Sequence, residues 1–90
     1  MYQFENDEIG YRQWLRHNRR GFVLNYKARN PEPDNLILHS ATCGTIAAPR
    51  SDGKGSTVSY GKACSESRAE LEALAERWGG VAEPHDCLSN

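Results

Sequence analysis

The residues best suited to chemistry in this 90-residue chain are its thiols and imidazoles. Cys43, Cys64 and Cys87 are accompanied by His39, four positions before Cys43, and by His85, two positions before Cys87. Thiolate sulfur and neutral imidazole nitrogen are the usual ligands of tetrahedral zinc. His39, Cys43, Cys64 and Cys87 form one candidate set, and His85 can stand in for one of them. A structural zinc held this way would staple a chain too short to build a large core. The spacing differs from that of knuckles made of closely spaced cysteine pairs, because only His39-x3-Cys43 and His85-x-Cys87 are paired. Other readings of the thiols stay open: buried core residues, a Cys43–Cys64 disulfide, or a reactive Cys87.

The second chemical feature is charge. From Ile9 to Pro31 there is no Asp or Glu, while Arg12, Arg16, Arg19, Arg20, Lys27 and Arg29 supply six formal positives. From Ser65 to Asp86 the balance reverses, with six acids against Arg68 and Arg77. Arginine suits phosphate because its planar fork donates two N–H groups at once. The acid-free run is therefore a candidate nucleic-acid-binding face, with DNA or RNA as partner. A solvated helix flank, with Arg19 and Arg20 answering the helix dipole, accounts for the same residues without a ligand. Phe22 and Tyr26, alternating on one strand face near Lys27 and Arg29, read either as core or as a platform for stacking bases.

Enzyme motifs are weak. Gly53-Lys54-Gly55-Ser56 lacks the upstream glycine of a phosphate loop and reads as a loop tip. His85-Asp86-Cys87 holds protease residue types, but adjacent residues cannot converge as base and nucleophile must. His39, Cys43, Tyr60 and Lys62 could meet near the ends of two strands; the plainer reading makes Tyr60 core and Lys62 solvent-facing.

The elements that must position these groups follow from periodicity. Tyr11, Trp14, Leu15 and Asn18 recur at i, i+3, i+4, i+7, which predicts a helix over 7–20 ended by Gly21. Arg12, Arg16, Arg19 and Arg20 fall about a quarter to a half turn away from that stripe. Alternation predicts strands over 22–27 and 36–39, joined by the turn-rich segment 30–35. Residues 41–46 fit a short helix or irregular strand, and 57–64 a third strand. Ser67-Arg68-Ala69-Glu70 forms a capping box ahead of the stripe Leu71, Leu74, Ala75, Trp78, which Gly79-Gly80 terminates.

The expected fold is thus α+β in the order α-β-β-β-α, a three-stranded antiparallel sheet with both helices packed on one face. That order and length resemble a double-stranded RNA-binding domain. The family places lysines at the start of its last helix; this chain has Ser65-Glu66-Ser67-Arg68-Ala69-Glu70 there. The resemblance is one of element order, and it assigns no residues.

At 38% apolar and 26% charged, the composition is globular. Ninety residues suggest one domain over 1–90, with 1–6 and 88–90 frayed and 49–56 a flexible loop. No apolar run approaches a membrane span, and the acidic first residues are not a secretory signal, so the cytoplasm is the expected compartment and no membrane the expectation. Two functions follow: a small nucleic-acid-associated binding domain using the basic helix-1/strand-1 face, or a protein–protein interaction module selecting a protein partner through faces of opposite sign. A structural zinc is compatible with either, and an enzyme is the least supported reading.

Overall fold

The computed structural model of the chain describes residues 1–47 and 55–88. The elements run β1 (Tyr2–Phe4), α1 (Glu8–His17), β2 (Phe22–Lys27), β3 (Ile37–Ser40), α2 (Gly44–Ala47), β4 (Tyr60–Ser65), α3 (Arg68–Arg77), β5 (Glu83–Pro84) and a 3-10 turn (Asp86–Leu88). The class is α+β, as expected. The sheet has five strands rather than three, in the order β1-β4-β2-β3-β5. It is mixed rather than antiparallel throughout, because β5 joins β3 in parallel.

The two extra strands are the shortest. Residues 1–6, expected to fray, instead hold β1, which pairs with β4 through Tyr2↔Cys64 and Phe4↔Lys62. β5 docks through Glu83 N to Leu36 O and His85 N to Leu38 O, both 2.8 Å. Pro84 has no N–H to offer and is tolerated because β5 is an edge. Of the flexible-loop expectation over 49–56, residues 49–54 lie outside the described residues, as do 89 and 90. Ser56 is buried, its N–H bonded to Glu8 Oε1 at 2.5 Å and its hydroxyl to the Arg12 guanidinium at 2.9 Å.

The helices lie on opposite faces of the sheet, not on one. Leu24, Tyr26, Leu38 and Ala63 pack with Leu71, Leu74 and Ala75 of α3. Val23 and Cys64 pack with Tyr11, Trp14 and Leu15 of α1, joined by Ala41, Cys43 and Ile46. The cause is visible in β2, where Val23 is as buried as Leu24. A strand apolar on both sides needs a cover on each. The order 22–27 and 60–65 of the paired strands, Leu24↔Ala63 and Val23↔Cys64, keeps both apolar sets in step.

The caps are local. Asp7 Oδ1 accepts from Gly10 N at 3.0 Å and opens α1. α1 stops at His17, three residues short of the expected end, with Asn18 as its cap. Ser67 Oγ accepts from Glu70 N at 3.3 Å, but the Glu70 carboxylate turns to Ser65 Oγ at 2.6 Å, so the capping box is half made. α3 ends in a Schellman motif: Gly80 N reaches Ala75 O at 3.0 Å, Gly79 N reaches Glu76 O at 2.9 Å, and Gly79 takes φ +84°. That reversal sends the chain back along β3 as β5, which delivers His85 and Cys87.

Candidate metal centre and basic groove

His39 leaves β3 on the α1 side of the sheet, opposite Val23 in the register. Four residues on, Cys43 sits just ahead of α2, its N–H bonded to Ser40 O at 3.1 Å. His85 and Cys87 arrive on the chain that β5 anchors against β3. One ligand atom from each of His39, Cys43, His85 and Cys87 lies within 4.8 Å of the other three. The imidazole centroids of His39 and His85 are 4.5 Å apart, and Cys43 Sγ is 3.6 Å from His85 Nδ1. A tetrahedral zinc with bonds of about 2.0–2.3 Å spaces its ligand atoms roughly 3.3–3.8 Å apart, so a small contraction would close the set.

Two further observations fit a metal. His39 is only 4% exposed, and its Nδ1 is buried without a hydrogen-bond partner among the described residues. An unsatisfied buried nitrogen costs about 1–3 kcal/mol, a cost a coordinate bond would remove. The electrostatics also favour ligand forms. Burial, then His85 and Lys62, push the His39 imidazole down to about 4, so it is neutral near pH 7. Burial opposes ionisation of Cys43, yet hydrogen bonds from the Cys87 thiol and from Thr45 and the Ile46 N–H hold its thiol below the ordinary value. Cys87 is raised, first by burial, and in part because Cys43 takes the first negative charge.

Cys64 does not belong to the set, contrary to the sequence expectation. Across the sheet the row runs Cys64, Val23, His39. β2 therefore stands between β4 and β3, and two strand spacings, about 9.5 Å, separate Cys64 from His39. The Cys64 side chain is wholly buried among Tyr11 and Val23, and burial pushes its thiol up to about 12. All three cysteines are free, so the Cys43–Cys64 disulfide is not formed. Thiol alkylation of the metal-free folded chain, read by mass spectrometry, should modify the exposed Cys87 first, Cys43 more slowly and Cys64 only after unfolding. Added zinc should protect the first two. Early labelling of Cys64 would contradict its place in the core.

The basic residues divide. Arg12, Arg16 and Arg19, at i, i+4, i+7, line one groove of about 310 Å³ with Leu15, Ala41 and Thr42. Arg12 is held there by Glu8 Oε2 at 2.6 Å as well as by Ser56. Arg16 and Arg19 are exposed. Arg20 does not line the groove. Lys27 and Arg29 do not join it either: they lie at the far end of β2, where Lys27 meets Glu32 at 3.8 Å and Arg29 takes a turn position at φ 67°. The β2 aromatics are no stacking platform, because Tyr26 is buried against Trp78 with ring centroids 4.8 Å apart.

His39, Tyr60 and Lys62 do converge, on a pocket of about 220 Å³ also lined by Asn25, Thr45 and Ser56. Cys43 is not among its walls. Lys62 is buried rather than solvent-facing, and its ammonium donates to Asn25 Oδ1. Tyr60 is exposed rather than core, and a second exposed aromatic, Tyr2, stands beside half-buried Phe4 in a segment whose brevity hides it from periodicity.

Comparison with protein-family models, curated proteins and solved structures finds no match to this chain. The functional reading therefore rests on its own side chains. No helix among the described residues is long and apolar enough to cross a membrane.

Proposed function

We propose that this chain is a small zinc-stapled binding domain that offers the arginine groove of α1 to nucleic-acid phosphate. The observation that carries it is the segment His39-Ser40-Ala41-Thr42-Cys43. Its two ends belong to the His/Cys cluster, and Ala41 and Thr42 between them form a wall of the arginine groove. One ion bound at its ends would fix that wall. The opposite wall is made by Arg12 and Arg16 of α1 and by Arg19 just past its end, with two exposed guanidiniums that suit phosphate oxygens. The zinc would be structural: two nitrogens and two sulfurs complete a closed tetrahedron and leave no position for substrate.

Fluorescence anisotropy with labelled duplex DNA, single-stranded DNA and duplex RNA tests the nucleic-acid part. Two or three phosphate contacts predict that duplex-DNA affinity falls about ten- to fortyfold between about 50 and about 200 mM salt. Arg16→Glu with Arg19→Glu should abolish binding at the lower salt. Chelation should weaken binding without the protein unfolding fully. A protein partner becomes the better reading if the zinc-loaded chain binds none of the three nucleic acids. The opposite-sign flanks of α1 and α3 would then be the surfaces to examine.

A further inference from the structure

A second groove runs along the other flank of α1, distinct from the arginine groove. Tyr2 and Phe4 of β1 face Gln13, Trp14, His17 and Asn18 across about 380 Å³. The register explains why. Tyr2 pairs with Cys64 and Phe4 with Lys62, so both rings project from the same face of the sheet as the side chains that α1 covers. Phe4 is anchored, its ring 6.1 Å from that of buried Tyr11. Tyr2 lies parallel to Phe4, at 14° with centroids 6.4 Å apart, yet is 62% exposed. The result is a flat aromatic surface held in orientation on one side and open on the other.

Besides Gly10 and Trp14, the rest of the groove is polar but not acidic. His17 Nδ1 is 2.8 Å from Gln13 O, so that nitrogen donates and Nε2 of the neutral ring is an acceptor. Asn18 is pinned by its Nδ2 donating to Trp14 O at 2.8 Å. None of these lining residues is an acid. Glu8, the single acid of α1, is turned to the other flank by Arg12 and Ser56. Arg16 is exposed on the opposite flank of the helix, in the arginine groove, and exposed Arg20 follows three residues after the helix end. An apolar peptide would use the ring surface but not the positive charge on the opposite flank of α1. A chain of flat bases on a phosphate backbone uses both. A duplex cannot, because its bases are stacked on each other.

We infer that this groove stacks the bases of a single-stranded nucleic acid whose phosphates follow the arginine-bearing face of α1. This rests on the phosphate-binding reading given above. It adds that base faces, not backbone alone, are recognised, and it places that recognition on Tyr2.

The test uses the zinc-loaded full chain and two labelled strands of equal length and charge, an oligothymidine and its abasic counterpart. Stacking of one base predicts that oligothymidine binds about tenfold more tightly than the abasic strand. Tyr2→Ala should remove that difference while leaving the abasic strand's affinity and the melting temperature unchanged. Tyr2→Phe, which keeps the ring, should preserve the difference. Equal binding of the two strands by the wild-type chain would overturn the inference while leaving the phosphate reading intact. So would an undiminished difference in Tyr2→Ala. Absence of binding to either strand and to duplex would overturn both.

Discussion

Cys43→Ser will release the zinc and lower the melting temperature of the zinc-loaded chain by about 20 °C, to that of the chelated wild type. The magnitude follows from linkage. At free zinc about a thousandfold above its dissociation constant, binding adds about 4 kcal/mol to the folded state. For a domain of this size each kcal/mol moves the midpoint by about 4–8 °C. Cys43 is the ligand to remove because its thiol is the one favoured as thiolate, and because it sits beside α2 where a serine keeps the small polar shape. Cys64→Ala is the control. It will cost core packing but leave one zinc per chain, since Cys64 lies two strands away from the cluster. Metal analysis after gel filtration, with calorimetry in the presence and absence of chelator, reads both outcomes. A Cys43→Ser protein that keeps its zinc and its melting temperature would remove the metal centre from the account.

Gly61→Ala will destabilise the fold by about 2–3 kcal/mol, the upper part of the usual range of about 1–3 kcal/mol for overpacking a filled core. Gly61 pairs with Tyr26 in the β2–β4 register, and the Tyr26 ring lies across the glycine. A methyl built there would overlap the ring. The ring cannot move aside freely. Its hydroxyl donates to Glu5 Oε2 at 2.7 Å and its face meets Trp78. Thermal unfolding should show a fall of about 15 °C. Tyr26→Leu combined with Gly61→Ala should recover part of the loss, as expected of neighbours competing for one space. Zinc stoichiometry should not change, because β4 carries none of the four proposed ligands. A neutral Gly61→Ala would mean that the α3-side core is packed more loosely than the Tyr26–Trp78 contact implies.

These two substitutions probe separate halves of the molecule. The His/Cys cluster lies on the α1 side and joins β3 to the chain after β5. The Tyr26 layer lies on the α3 side and joins β2 and β4 to α3. The two cores share only the sheet between them, so the stability losses should add within a few tenths of a kcal/mol if the sheet transmits little strain.

Much of this was written locally. The stripes Tyr11-Trp14-Leu15-Asn18 and Leu71-Leu74-Ala75-Trp78 specify the two long helices, because a helix repeats its face within its own turns. The alternation of 22–27 and the turn residues at 30–35 specify the β2–β3 hairpin for the same reason. The acid-free arginine run and the His/Cys inventory were equally plain, though not that Arg20 would stay out of the groove. What the residues could not show was which of these distant groups would meet. β1 and β5, three and two residues long, carry no measurable period and exist because β4 and β3 have free edges to pair with. The insertion of β2 between β4 and β3 kept Cys64 out of the His/Cys cluster, which His85 joins. The two-sided burial of Val23 and Leu24 sent the helices to opposite faces, and the extended length of β2 carried Lys27 and Arg29 away from the arginines of α1. Periodicity reports contacts a few residues apart; strand order is settled by hydrogen-bonding and burial across the whole chain, and the site is built from that order.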